Sequence, residues 1–186
     1  GVLVPACSPC DTQDRFLETE LAVLLEQALK KPLDGAYLCG GTGDGMKMRL
    51  EERKAASQIG IALCHKQDKA ALVQVGAFTM RDSLELAEHA AASGADGVSS
   101  VPLPGASHGQ QMQYYRALAK AATIPVILYY MPQPGVNFSL ENVLETLTIP
   151  GITGVKSSTN DFFFTQQLIA EKLDGCAVFN GKDEYL

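Results

Sequence analysis

"GITGVKSSTN", residues 151–160, is the stretch from which the fold can be read outward. It is apolar, β-branched and glycine-bounded until Lys156, then turns polar. That is the composition of a short strand covered on both faces. A lysine closing such a strand is costly unless the protein uses it or its stem carries the charge to water. Runs of the same kind recur on both sides: "VLVPA" at 2–6, "GAYLCG" at 35–40, "ALVQVGA" at 71–77, "GVSSVP" at 97–102, "PVILYY" at 125–130 and "AVFNG" at 177–181. Between them lie segments of helical period. "LETELAVLLEQALKK" at 17–31 places Leu21, Leu24, Leu25 and Leu29 on one face. "LEERKAASQIGIAL", "SLELAEHAAASG", "QMQYYRALAKAA", "SLENVLETL" and "FFFTQQLIAEKL" follow in turn. Strands start roughly every 25–35 residues, the period of a βα unit. "SGADG" and "KLDG" close helices with glycine ahead of the next strand. Alternating βα leaves two architectures, a doubly wound sheet or a closed (β/α)8 barrel.

Composition narrows the function classes. The chain has 186 residues, 46% hydrophobic and 19% charged, with a formal net charge of −6, a globular profile without a basic footprint for nucleic acid. No apolar run nears the ~20 residues that span a bilayer. "GVLVPACSPC" lacks a basic region and an apolar core of signal-peptide length, and with no initiator Met it reads as a trimmed start. Five cysteines, Cys7, Cys10, Cys39, Cys64 and Cys176, favour a reducing, cytoplasmic setting over a disulfide framework. "CSPC" at 7–10 has C-x-x-C spacing. Pro9 and the following "DTQD" make it a loop with two incidental thiols, redox chemistry being the second reading. His65, His89 and His108 fall on different βα units without ligand spacing, so no metal site is expected.

Nucleotide binding is disfavoured. The first βα turn has no glycine fingerprint. "GGTGDGMK" at 40–47 puts Met46 where a dinucleotide loop needs glycine and a P-loop needs lysine. The loop still offers backbone N–H groups ahead of a helix, which suits a carboxylate. In an α/β barrel, chemistry gathers at the C-terminal strand ends. Those ends carry Thr42-Gly43-Asp44, Tyr129-Tyr130-Met131-Pro132, Lys156-Ser157-Ser158 and Asn180-Gly181-Lys182-Asp183-Glu184. A lysine, a phenol and an anion-binding loop suit Schiff-base chemistry on a keto acid. A desolvated amine attacks the carbonyl while a phenol relays protons.

"GGTGD", "ILYYMP", "GVKSS" and "FNGKDE" together resemble, in order and spacing, the dihydrodipicolinate synthase / N-acetylneuraminate lyase superfamily, over the whole chain. The resemblance implies a (β/α)8 barrel whose enzymes form an imine with pyruvate or another 2-keto acid. By it, Lys156 is the imine-forming lysine and Tyr129 the proton-relay tyrosine opening the family's Y-N-x-P motif, with Tyr130 in place of the Asn. Gly41, Thr42 and Gly43 match the carboxylate-binding loop G-[ST]-T-G-E. Gly41 replaces its first hydroxyl and Asp44 its Glu, leaving one side-chain donor fewer. No cofactor is implied, since the protonated imine on Lys156 is the electron sink. A homotetramer is the family's usual assembly.

Departures point to a subfamily. "SVPLPGASHG" lacks the paired tyrosine of dihydrodipicolinate synthases, and "MPQPGVNF" lacks their arginine. "KSS" and "FNGKDEYL" resemble sialic acid lyases, in which Ser158, Gly181, Asp183 and Glu184 would meet sugar hydroxyls. The expectation is a Schiff-base aldolase/lyase cleaving a 2-keto-3-deoxy sugar acid, N-acetylneuraminate-like, to pyruvate and an aldehyde. A dihydrodipicolinate synthase-like synthase or a sugar acid dehydratase on the same scaffold is one rival. A catalytically silent keto-acid-binding protein is another. A full barrel takes ~250 residues. This chain reaches Leu186 just past its seventh strand, so a single barrel domain over 1–186 is expected without its eighth strand and C-terminal helices, either as a piece of a longer protein or completed by a partner.

Each assignment has a structural competitor. Lys156 would snorkel. Tyr129 would be a core tyrosine, and Tyr130 the functional one if the strand register slips by a residue. Thr42 would cap the next helix. Asp183 and Glu184 would complement a helix dipole. "FFFT" at 162–165 would pack a helix against the barrel or a neighbouring subunit.

Overall fold

The computed structural model describes residues 1–132 and 138–182. They fall into two compact units, Gly1–Val75 with Glu85–Val98, and Gly76–Leu84 with Ser99–Leu186. The first holds β1 (Leu3–Pro5), α1 (Glu18–Leu29), β2 (Gly35–Leu38), α2 (Leu50–His65) and β3 (Ala70–Gln74). Helix α3 (Met80–Ala92) and strand β4 (Gly97–Ser100) have residues in both. The second holds α4 (His108–Ala122), β5 (Val126–Tyr130), α5 (Leu140–Leu147), β6 (Ile152–Ser157), α6 (Phe162–Glu171) and β7 (Ala177–Asn180). Each run read as a strand is a strand, and a helix follows each strand from β1 to β6.

Strand order equals chain order, β1 to β7. A doubly wound sheet reverses its order midway. This one does not, so the winding is that of a (β/α) barrel, carried as far as β7 among the described residues.

In the first unit β1 pairs with β2 and β2 with β3, all parallel, with Val4 opposite Ala36 and Ala36 opposite Ala71. All four residues of β2 are buried. Leu21, Leu25 and Leu29 of α1 are 1–2% exposed, a row at i+4 spacing. Leu24, expected on the same face, is 48% exposed, because it lies to the side of that row. Gly60 interrupts α2 at a helix-propensity cost. A Cβ there would come within 2.5 Å of both methyls of Leu38, so the glycine lets α2 lie against β2. Gly94 ends α3 with φ +88°, as "SGADG" signals.

In the second unit Val126, Leu128 and Val155 are fully buried, as are Val143 of α5 and Leu168 of α6. Tyr114 and Tyr115 of α4 are equally buried, and the Tyr115 hydroxyl donates to the Ser100 carbonyl at 2.9 Å. Gly175 turns the chain into β7 with φ +84°. Of the "FFFT" run, Phe164 packs on Tyr130, while Phe162 and Phe163 are exposed at 53% and 71%. Among the described residues no helix is long and apolar enough to cross a membrane.

A single carboxylate ties β3 to the turn before β4. Asp96 Oδ2 accepts from the Ala71 N–H at 2.8 Å and lies 3.1 Å from His65 Nε2. Partial burial pushes this carboxyl up, but the Ala71 N–H and His65 outweigh it, and Asp96 is held below the usual carboxylate range. A depressed folded pKa adds stability that is complete above the unfolded value of about 4 and disappears as pH falls through the lower folded value. Asp96→Asn is therefore expected to lower the urea midpoint at pH 7, and the gap from the parent protein should narrow as the pH drops below about 4. A gap that stays constant from pH 7 to pH 3 would remove the carboxylate from this role.

Candidate active site

Strand β6 presents Lys156 through register. Its pairing with β5 starts with Val126 opposite Ile152, but Ile127 faces Gly154, so Thr153 is an extra residue. Beyond this bulge Leu128 faces Val155, Tyr129 faces Lys156 and Tyr130 faces Ser157. Strand β7 continues the row, with Phe179 opposite Lys156 and Asn180 opposite Ser157. Gly154 allows the close approach, since a Cβ there would lie 2.4 Å from the Ala177 carbonyl oxygen.

Register partners share a face of the sheet. Tyr129, 4% exposed, therefore lies beside Lys156. The Lys156 ammonium stands 3.8 Å from the centroid of the Tyr129 ring, a cation–π contact, and donates to Ser158 Oγ at 3.4 Å. The Tyr129 hydroxyl donates to Met131 Sδ at 3.7 Å. Tyr130 points to the other face. Its ring stacks on Phe164 of α6, centroids 4.5 Å apart and planes 16° from parallel. Burial, and then the charge of Asp161, push its phenol above the usual tyrosine range.

A cavity of about 450 Å³ opens here, within the second unit. Tyr129, Ser158 and Gly181 line it, and the first two touch Lys156. Gly181 is held by its N–H, which donates to the Ser157 carbonyl at 2.8 Å. A Cβ on Gly181 would fall 2.0 Å from Ser158 Oγ and 3.1 Å from Lys156 Nζ, so this position keeps the space around the amine open. Asp183 and Glu184 lie outside the described residues. Sequence reasoning assigned no role to Met131, Pro132, Thr159, Asn160, Asp161 or Lys182, which line the same cavity. They follow β5, β6 or β7; Met131, Pro132 and Lys182 stand among the strand-end residues without a role, and carrying the end of the sixth strand past Ser158 would have added Thr159, Asn160 and Asp161. Asp161 is partly committed, because its Oδ1 accepts the Phe164 N–H at 3.0 Å and caps α6.

Gly41, Thr42 and Gly43 belong to the first unit, in the turn after β2. Gly41 and Thr42 are exposed and Gly43 is buried. Thr42 is not a helix cap, since α2 starts at Leu50 with Arg49 at its N-cap. The N–H groups of Asp44 and Gly45 donate to Gly41 and Gly40 within the turn, at 3.1 and 3.2 Å. Gly43 and Gly45 admit no side chain, as a Cβ would lie 2.7 Å from the Ala6 carbonyl oxygen and 1.9 Å from that of Cys39. The "CSPC" segment is a loop with both thiols exposed and free, closed by a Cys10–Phe16 bridge. Among the described residues no group of three His, Cys, Asp or Glu is placed to hold a metal ion.

Fold and site together define a singly wound βα protein with a lysine at the end of its sixth strand, against a tyrosine from the fifth. Residues 1–186 match the sequence profile described as the dihydrodipicolinate synthetase family, and the chain belongs to that family. It is 28% identical over 186 residues to an N-acetylneuraminate lyase of Rhizobium meliloti, covering 99% of this chain and 62% of that protein. An N-acetylneuraminate lyase of Escherichia coli is 29% identical over 191 residues, with 99% and 63% covered. Among solved structures, the dihydrodipicolinate synthase of Acinetobacter baumannii, complexed with pyruvate, superposes with a TM-score of 0.91 at 27% identity, over 99% of this chain and 64% of that one. The sialic acid aldolase of Ruminococcus gnavus has the same fold, with a TM-score of 0.91 at 24% identity, over 99% and 62%. The chain thus spans a little over three-fifths of the length of these relatives.

The assignment of the two tyrosines to opposite faces has a measurable consequence. A double-mutant cycle of Tyr130→Ala and Phe164→Ala should give a coupling of about 0.5–1.5 kcal/mol in folding stability. Tyr129→Ala should show none with Phe164→Ala. Coupling of Phe164 to Tyr129 instead would reverse the register.

Proposed function

We propose that the protein is a Schiff-base aldolase or lyase that reversibly cleaves a 2-keto-3-deoxy sugar acid to pyruvate and an aldehyde, N-acetylneuraminate being one candidate. The observation that carries this reading is the Lys156 amine, held over the Tyr129 ring and beside Ser158, in contact with the wall of a 450 Å³ cavity. The sequence kinship with N-acetylneuraminate lyases supports cleavage, and the pyruvate reported with the Acinetobacter baumannii structure supports a keto-acid ligand.

In this reading the neutral Lys156 amine adds to the C2 carbonyl, and the carbinolamine loses water to give a protonated imine. The substrate C4 hydroxyl then gives up its proton as the C3–C4 bond breaks. The bonding pair passes into the imine, leaving an enamine and releasing the aldehyde. Protonation at C3 and addition of water free pyruvate and restore the amine. Tyr129 moves protons at these steps. Thr42 and the N–H groups of Gly41 and Gly43 orient the substrate carboxylate, and Ser158, Gly181, Asp183 and Glu184 meet the sugar hydroxyls. No cofactor enters the sequence.

Incubation with pyruvate and borohydride should leave one reduced pyruvyl group, mapped to Lys156 by mass spectrometry, and Lys156→Arg should abolish it. An unmodified, folded parent protein would instead favour a catalytically silent binding protein. Release of free pyruvate separates cleavage from dehydration. Tyr129→Phe is expected to slow turnover by about 10²–10⁴-fold. Gly181→Ala should slow imine trapping by up to about 10²-fold, through displacement of Lys156 Nζ, with little change in thermal midpoint.

A further inference from the structure

Two methionine sulfurs in the second unit accept a hydroxyl proton at 3.7 Å, Met112 from Thr146 and Met131 from Tyr129. The first pair is sealed. Met112 is 5% exposed and joins α4 to α5 inside the core. The second pair belongs to the site. Met131 comes two residues after Tyr129, is half-buried and lines the 450 Å³ cavity. The contact that is structural at Met112 thus joins, at Met131, a reachable sulfur to the phenol that moves protons in the proposed reaction.

Sulfur chemistry gives this second pair another state. A thioether is a weak acceptor, so it orients the Tyr129 hydroxyl without holding its proton firmly. Hydrogen peroxide changes that. A sulfur lone pair attacks one peroxide oxygen, and the O–O bond breaks. The departing hydroxide takes the proton of the transferred oxygen and leaves as water. Sulfur is oxidised by two electrons and the peroxide is reduced by two. The product, a sulfoxide, is polar where the thioether was apolar. An oxygen added to Sδ on the phenol side stands one bond length nearer to the hydroxyl and accepts it in an ordinary O–H···O bond. A phenol held in this way gives up its proton less readily.

Access and contact together single out Met131 among the five methionines. Met80 is more open, at 38%, but starts α3 and does not line the cavity. Met46 and Met48 lie between β2 and α2, in the first unit. We propose that Met131 is a modification site: a peroxide oxidises its sulfur to the sulfoxide, which captures the Tyr129 hydroxyl and slows turnover until a methionine sulfoxide reductase restores the thioether. The inference rests on the aldolase reading for its effect on rate, and on the Tyr129–Met131 contact for its chemistry.

The test treats the protein, isotope-labelled in its methionine methyl groups, with hydrogen peroxide and maps the peptides by mass spectrometry. Met131 should gain one oxygen well ahead of Met112, and turnover should fall about 10-fold or more in step with it. The loss should survive dithiothreitol alone, which reverses disulfides, and should be repaired by methionine sulfoxide reductase. Met131→Leu, whatever its starting rate, should lose nothing on treatment. Tyr129→Phe should keep its residual rate after Met131 is oxidised, because it has no hydroxyl to capture. The NMR signal of the oxidised Met131 methyl group should differ between the parent protein and Tyr129→Phe. A Met131 oxidised no faster than Met112, an equal loss of turnover in Met131→Leu, or an oxidised methyl signal identical in parent and Tyr129→Phe would overturn the proposal. If the parent protein traps no pyruvate, the aldolase reading fails on its own, while the peptide map and the methyl signal still decide whether Met131 is oxidised and whether its sulfoxide meets Tyr129.

Discussion

One extra residue in β6 decides which tyrosine the lysine meets. Side chains alternate across a strand, so a shift of one residue in pairing exchanges the faces. Without the bulge at Thr153, Val126 opposite Ile152 would bring Tyr130, not Tyr129, opposite Lys156. With it, Tyr129 supplies the ring under the ammonium and Tyr130 is left to stack on Phe164. Bulges commonly re-aim a side chain next to a functional site. Here the bulge separates two adjacent tyrosines of identical chemistry into one that lines the cavity and one that packs a helix.

The glycines around the amine complete this arrangement. Gly154 lets β7 approach β6 closely, and Gly181 then passes Lys156 Nζ with no Cβ to displace it. The ring face of Tyr129 attracts a cation. Beside it, Ser158 Oγ accepts from the Lys156 amine at 3.4 Å. Of the cavity's acids, Asp161 is engaged with α6, its Oδ1 accepting the Phe164 N–H.

The seven strands and six helices of the described residues were legible because each is a short apolar or amphipathic run closed by glycine or a polar turn, and such local signals need no tertiary context. Leu24 was misplaced because helical spacing defines a broad stripe and the packing partner chooses its width. The lysine, the tyrosine pair, Ser158 and Gly181 were found from strand ends and motif order. Lys182 and Asp161 went unassigned because lining the cavity depends on how the loops after β6 and β7 come together, which local sequence does not show.

The amino-acid order alone therefore determined the βα beat and the strand that carries Lys156 near its end, since periodicity and glycine placement act over a few residues. Tertiary structure alone decided the sequential strand order that separates a barrel winding from a doubly wound sheet. It also decided which tyrosine faces the amine. Those outcomes depend on register and on contacts between residues distant in the chain, where a one-residue difference costs the local sequence almost nothing and reverses the geometry of the site.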